Sequence, residues 1–362
     1  MSTTAKMDMP IRTALAGFGL SGSVFHAPLL GADPEFSLEM ISTSDRERIG
    51  NAEQRYPGAV VVPSPSELLD SAEQLDLLVI ATPPATHYGL ALAALKAGLD
   101  VVVDKPFAVS SAQGREVAEL AGQLGRTLTV FHNRRWDGDF ITAKSLVTGG
   151  LLGDVSRFES RFERWQPTVT KPWKAVATAA DGGGALFDLG THLIDQALEL
   201  FGPAVVTHAE LSAHRPGGSA DDDAFVVLQH HSGVISHLSM NLLCAQVSAR
   251  MRVLGSAAAY TKQGLDPQEP FLAAGGSPRD PDYGVEDKEW AGLLGRDGHL
   301  DAVTTERGQY PVFYRMLAAV LRSGGARSGK PLPVEPGHAI RVLEIIEQAR
   351  DIALGERPTD RG

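Results

Sequence analysis

The stretch Ile11-Arg12-Thr13-Ala14-Leu15-Ala16-Gly17-Phe18-Gly19-Leu20-Ser21-Gly22 decides the fold. Ile11 to Ala16 is a short apolar run that stops at a glycine, the pattern of a buried parallel strand. The six residues that follow spell G-x-G-x-x-G. Gly17 suits a tight turn and Gly19 lets a pyrophosphate approach the backbone. Gly22 lets the next helix pack on its strand, with the phosphates at that helix's N-terminus. In a chain with 38 glycines the motif alone is weak. Its context gives it weight: a strand before, a helix after, and a second strand predicted from Ser37 to Ser42.

The end of that second strand bears on cofactor choice. A dinucleotide site for NAD usually places Asp or Glu there, bonded to the ribose 2′-hydroxyl. Along Ile41-Ser42-Thr43-Ser44-Asp45-Arg46 the position falls on Thr43. A carboxylate would repel a 2′-phosphate, whereas Thr43 and Ser44 can donate to it, with Arg46 or Arg48 nearby. NADP is therefore favoured over NAD. The alternative puts Asp45 in the NAD position and leaves Arg46 and Arg48 as solvated helix charges.

The alternation continues. Leu75 to Ala81 is an apolar run ending in Thr82-Pro83-Pro84, and a helix from His87 to Ala97 follows, with Thr86 at its cap. Asp100 to Val103 is a further strand that delivers Asp104-Lys105-Pro106 to the same edge. Leu128 to Phe131 is another, followed by His132-Asn133-Arg134-Arg135-Trp136. Repeated β-α-β units predict a doubly wound Rossmann domain over residues 1–132, with ligands at the carboxyl ends of the strands. Ala81, Thr82 and Pro83 are expected at the cofactor for that reason, as are Asp104, Lys105 and Asn133.

The remainder, residues 133–362, reads differently. Strands are predicted over Val155 to Glu163, Val205 to Leu211, Phe225 to His230, Val234 to Leu243 and Ala249 to Leu254, with turn signals between them. This is a meandering, mostly antiparallel sheet, so the fold class is α/β with two domains. Gln263 to Gly284, rich in Pro, Gly and Asp, reads as a long surface loop. Tyr310 to Ser323 and His338 to Ala353 read as amphipathic helices.

Length and composition agree. The chain has 362 residues, which at roughly 150 per domain suggests two domains. Hydrophobic residues at 43% are enough for a packed core and exclude global disorder. A net charge of −11 argues against a nucleic-acid partner, and the single Cys244 excludes a disulfide framework or a Cys-rich zinc site. No run of about 18 apolar residues is present to span a membrane. The apolar N-terminal stretch is broken by Gly17, Gly19, Gly22, His26 and Pro28, so a secretory leader is not expected and a cytoplasmic enzyme is.

Three residues carry candidate chemistry. Transfer of hydride from an alcohol needs a proton acceptor and a group that stabilises the developing oxyanion. Lys105 at a strand end can stabilise such an oxygen, although a turn lysine in solvent reads equally well. Asp188 and His192 are four apart, and share one face if residues 187–201 are helical, where the carboxylate would orient the imidazole. Such a pair is also a common solvated helix contact. Asp195, a turn later, reads as structural. His230, His231 and His237 lack an accompanying carboxylate pair, so no metal site is expected.

Taken together, Gly17 to Gly22, Ala81-Thr82-Pro83 with His87, Asp104-Lys105-Pro106, and Gly182-Gly183-Gly184 leading to Asp188, His192 and Asp195 resemble the glucose–fructose oxidoreductase / inositol dehydrogenase / rhizopine catabolism (Gfo/Idh/MocA) family. Phe25-His26-Ala27-Pro28-Leu29 and Asn133-Arg134-Arg135-Trp136-Asp137 are similar to its NADP-linked scyllo-inositol dehydrogenase subgroup. The resemblance covers nearly the whole chain. It implies Lys105, Asp188 and His192 as catalytic residues, His87 among the cofactor-binding residues, NADP or NAD as cofactor, and a cyclic polyol or sugar as substrate. Trp136, Arg164 and Trp165 are then expected at the substrate, and Arg161 and Trp173 lie in the same cleft-facing segment. It also implies a homodimer or homotetramer built on the open face of the sheet. The alternatives within reach are an aldose or deoxysugar oxidoreductase and a dinucleotide-sensing regulator without turnover.

Overall fold

Residues 9–169, 177–178 and 181–355 are described by the computed structural model; Trp173 lies outside them. The N-terminal third is built on a parallel sheet of β1 (Ile11–Ala16), β2 (Phe36–Ser42), β3 (Val60–Val62), β4 (Leu77–Ile80), β5 (Asp100–Asp104) and β6 (Leu128–Phe131). Their order is β3-β2-β1-β4-β5-β6. The chain winds outward to one side through β2 and β3, then returns to start again at β4. The crevice at that reversal, between β1 and β4, is where such sheets take ligands. Every residue of β4 and β6 is buried, as expected of strands covered by helices on both faces. β3 is absent from the sequence reading. Three half-exposed valines at a sheet edge are too short to show a period.

Local chemistry sets the helix ends. The helix Ser111–Leu124 starts where the Ser110 side chain accepts a hydrogen bond from the Gln113 amide, and stops at Gly125, whose φ of +60° is a left-handed cap.

The second sheet holds β7 (Val155–Glu163), β8 (Ala204–Ser212), β9 (Asp223–His230), β10 (Ile235–Asn241), β11 (Met251–Gly255), β12 (Ala259–Lys262), β13 (Gly292–Arg296) and β14 (His299–Val303). Its order is β14-β13-β12-β11-β7-β10-β9-β8. The pairings are antiparallel except β10 with β7. Burial alternates strictly along β9 and β10. The inner face packs against the helices Thr191–Phe201 and Pro336–Ala353, and among the described residues no helix packs comparably on the outer face. No helix among the described residues is long and apolar enough to cross a membrane.

Two expectations are corrected. Residues 263–284 are not a plain surface loop. They contain the helix Gln268–Ala273, and Asp266, Gln268 and Tyr283 are buried. The Gln268 amide explains this, since its nitrogen donates to the Trp136 carbonyl (3.0 Å) and its oxygen accepts from the Tyr310 amide (2.8 Å). Asp266 accepts from the Gly138 amide at 2.7 Å. These polar side chains are buried because they satisfy the backbone of neighbouring segments. The second correction concerns residues 187–201. Leu186–Gly190 is a π-helical turn that runs into the α-helix Thr191–Phe201, so the spacing of side chains changes there.

Candidate active site

The glycine loop lies at the carboxyl end of β1. Gly17 has φ +98°, and a Cβ there would lie 2.6 Å from the Ala81 carbonyl oxygen. A Cβ on Gly22 would lie 2.0 Å from the Gly17 carbonyl oxygen. Both positions are closed to any side chain. Gly19 is different: the nearest atom to its notional Cβ is Arg48 Nη1 at 3.9 Å. Two glycines therefore serve packing, and the third leaves backbone open to a cleft of about 540 Å³.

That cleft runs from the loop to the second sheet's helices. Phe18, Leu20 and Ser21 line it, then Thr43 and Ser44 past β2, then Ala81, Thr82 and Pro83 past β4. Asp104 and Lys105 past β5 and Asn133 past β6 continue the wall, and Asp188 and His192 close it from the other domain. The expected residues Arg46, His87, Trp136 and Trp165 do not line it. Arg46 opens the helix Arg46–Arg55 and is exposed, while Arg48, two residues on and on another side of the helix, reaches back over Gly19. Asp45 is occupied as that helix's cap, accepting from the Arg48 amide at 3.0 Å. No carboxylate therefore occupies the strand end, and the open loop with its hydroxyl pair and Arg48 fits a dinucleotide.

His87 serves the walls instead of the space between them. Its buried ring places Nδ1 2.9 Å from the Pro106 carbonyl and Nε2 2.8 Å from that of Thr82, tying together the loops after β5 and β4. Burial lowers its pKa. Trp136 packs edge-on against Phe313, with ring centroids 5.7 Å apart, and its carbonyl accepts from Gln309 and Gln268. Trp165 is 59% exposed and bridges to Leu243. Trp136 follows a strand and packs on the apolar surface nearest to it, whereas Trp165 stays largely in solvent.

Lys105 leaves β5 and points across the cleft. Its ammonium donates to Asp188 Oδ1 at 2.9 Å and to the Asp188 carbonyl oxygen at 2.8 Å. The expectation that Asp188 orients the His192 imidazole is thereby corrected, because the π turn swings the carboxylate to the lysine. His192 Nδ1 is buried without a hydrogen-bond partner among the described residues. Burial holds the His192 pKa well below the ordinary imidazole value, and the cations Lys105 and Arg134 push it the same way. Asp104, behind Lys105, accepts from the Lys105 amide at 2.8 Å. Burial raises its pKa, but His26 and Lys105 outweigh that and leave it lowered.

Asp195 is a structural anchor. It takes both Nε and Nη2 of Arg135 (2.9 and 2.7 Å), with His132 and His338 beside it. Burial opposes its ionisation, yet Arg135 and His132 bring its pKa down to about 2. Arg161 pairs with Glu159 at 2.8 Å on the sheet, outside the cleft. His230 is held by the Gly202 carbonyl and Ser236, both at 2.8 Å. Arg164 lines the cleft as expected. Arg134 and Glu269 line it too, although sequence reasoning gave them no role. Arg134 had a signal in its place beside Asn133; Glu269 had none, in a segment whose composition reads as exposed.

The chain was compared with known proteins. Residues 11–132 match a family model described as "Oxidoreductase family, NAD-binding Rossmann fold", and residues 140–261 match "GFO/IDH/MocA C-terminal domain". The uncharacterized oxidoreductase YdgJ of Escherichia coli is 41% identical over 94% of this chain and 96% of its own. The scyllo-inositol 2-dehydrogenase (NADP(+)) IolW of Bacillus subtilis is 32% identical over 96% of this chain and 95% of its own. A solved structure of the putative oxidoreductase yvaA from Bacillus subtilis superposes with a TM-score of 0.87 at 32% identity, covering 96% of this chain and 97% of that one. With its Rossmann loop, its second sheet and these matches, the chain belongs to the Gfo/Idh/MocA family and is an NAD(P)-binding oxidoreductase.

Proposed function

We propose that the protein interconverts a secondary hydroxyl and a ketone on the ring of a cyclic polyol or sugar, with a scyllo-inositol-like substrate and NADP(H). One observation carries the reading: the Lys105–Asp188 ion pair at 2.9 Å and the buried His192 line the same cleft as the glycine loop. The nicotinamide, when bound, supplies or takes up the hydride. The chain's own residues manage the proton and the oxygen. In oxidation His192, neutral because of its depressed pKa, takes the hydroxyl proton, and the Lys105 ammonium stabilises the oxygen. Asp188 fixes where that ammonium points. In reduction the same groups run in the opposite sense.

Thr43, Ser44 and Arg48 support NADP over NAD, since they offer two hydroxyl donors and a cation where a carboxylate would favour NAD. The name of the Bacillus subtilis relative, which carries both scyllo-inositol and NADP, points the same way. Catalysis sits in a two-part chain, with residues 1–132 for the dinucleotide and 133–362 for substrate and self-association. The open outer face of the second sheet is the surface through which we expect a homodimer or homotetramer. Turnover followed by nicotinamide absorbance, with inositols and neutral sugars against NADP and NAD, tests the reading. NADP-linked turnover of a cyclic polyol is expected. Dinucleotide binding with no turnover of any polyol or sugar would point to a sensing role instead.

A further inference from the structure

Lys105, Asp188 and His192 all fall inside the matched family spans, 11–132 and 140–261. Glu269 lies beyond both, yet it lines the cleft. It does so because the helix Gln268–Ala273 is pinned at its start. Gln268 is fully buried and bridges the Trp136 carbonyl and the Tyr310 amide, so Glu269 is held beside the turn that follows β6. There its Oε2 accepts from Arg134 Nη2 at 2.6 Å. Oε1 accepts no hydrogen bond among the described residues. Arg134 is itself 6% exposed and pairs behind with Asp137 at 3.2 Å. Its guanidinium lies over the Phe162 ring at 4.9 Å, and the same ring meets His192 at 6.0 Å. The pair therefore stands on the His192 wall of the cleft.

We propose that Glu269 is the specificity-determining residue of the polyol or sugar site: paired with Arg134, it binds adjacent hydroxyls of a neutral substrate and turns away substrates that carry a carboxylate there. This rests on the polyol or sugar reading above. A vicinal diol presents hydroxyl hydrogens and oxygens side by side, and a carboxylate next to a guanidinium matches that pattern with an acceptor and a donor. Without Glu269, Asp137 would hold the Arg134 guanidinium only from behind, and its cleft side would be left to an incoming anion. Glu269 compensates that charge and sets its own against an incoming carboxylate.

The test compares wild type, E269Q and E269A with NADP, using scyllo-inositol and D-glucose as neutral substrates and D-glucuronate as the acidic one. Glutamine keeps an acceptor for Arg134 and preserves the fold if alanine does not. For the neutral substrates kcat/KM should drop about tenfold in E269A, chiefly through KM. The ratio of acidic to neutral substrate should rise by about tenfold or more, with E269Q in between. NADP affinity serves as the folding control. A neutral-substrate KM and an acid-to-neutral ratio that stay at wild-type values in both variants would overturn the proposal. If wild type turns over no polyol or sugar, the proposed function itself fails. Selectivity is then read from calorimetric titration of the NADP-loaded protein, where E269A must still gain affinity for D-glucuronate over scyllo-inositol if Glu269 acts as stated.

Discussion

Asp188 holds the Lys105 ammonium with two different oxygens, its carboxylate at 2.9 Å and its own backbone carbonyl at 2.8 Å. Such a grip fixes direction as well as charge. Asp188 lies in the π turn Leu186–Gly190, where the helix departs from regular α geometry. The proposed oxyanion donor is thus positioned by joining the residue that follows β5 to a residue of that turn.

Removing that ammonium separates chemistry from binding. Lys105→Ala should cut kcat by about a thousandfold, the usual scale for an electrostatic or acid–base group at the reacting atom. Affinity for NADP, measured by fluorescence titration, should change little, because the glycine loop and strand-end hydroxyls carry it. Asp188→Asn keeps the backbone acceptor and loses the charge, so its kcat should lie between. If Lys105→Ala retains nearly full turnover, the assigned role is wrong.

The buried histidines predict how activity and stability respond to acid. His192 acts as a base only when neutral, and its pKa sits well below the ordinary value. The oxidation rate should therefore hold its plateau down through pH 6.5 and fall only at lower pH, an ordinary imidazole having pKa about 6.5. Stability follows the same sign. His132 is pushed down to about 4 by burial, while an unfolded chain protonates it near 6.5. Below that pH the unfolded state binds the extra proton, so stability drops as pH falls from about 6.5 to 4. For His132 alone the change is on the order of 3 kcal/mol across the window. Urea unfolding at pH 7 and pH 5 should show a smaller pH dependence in His132→Gln than in wild type. Equal dependence in the two would contradict the burial argument.

Cofactor preference can be moved at the end of β2. Thr43→Asp places a carboxylate where a 2′-phosphate would lie and should shift the NADP/NAD ratio of kcat/KM toward NAD by about tenfold or more. Arg48→Ala should weaken NADP and leave NAD almost untouched, whereas Arg46→Ala should affect neither, since Arg46 does not line the cleft. An unchanged ratio in Thr43→Asp would remove the strand-end argument.

The parts of this molecule that were legible in its sequence are those set by local rules. β1, β6 and β7 fall on the predicted residues because mostly apolar or alternating runs ended by turn residues leave little freedom. Lys105, Asp188 and His192 meet in one cleft, as the motifs led one to expect. What the sequence hid depends on distant partners. The Asp188 carboxylate turned to Lys105, 83 residues away, because a π turn reset the i,i+4 geometry. Arg48 replaced Arg46 because helix phase, and not proximity in sequence, decides which side chain reaches the loop. Asp266 and Gln268 went inside because buried amides of residues 138 and 310 needed acceptors. Composition had marked that stretch as exposed.

The three glycines of the loop can be told apart by where their missing side chains would go. A methyl on Gly22 would meet the Gly17 carbonyl oxygen at 2.0 Å, inside any real contact, so the helix start and β1 would have to separate. Gly22→Ala should lose about 1 to 3 kcal/mol of stability, the range for forcing extra volume into a packed contact. A methyl on Gly19 meets nothing closer than the end of the Arg48 side chain at 3.9 Å. Gly19→Ala should therefore melt within a degree or two of wild type, the change in stability being near zero. Its loss should appear in binding, because the methyl occupies the space through which a pyrophosphate approaches the backbone. Thermal melts without cofactor, set beside NADP titrations of the same two variants, distinguish the outcomes. If Gly19→Ala binds NADP as wild type does, the dinucleotide does not cross the loop at residue 19. If instead Gly19→Ala is the less stable of the two, the loop's shape in the free protein differs from the one described.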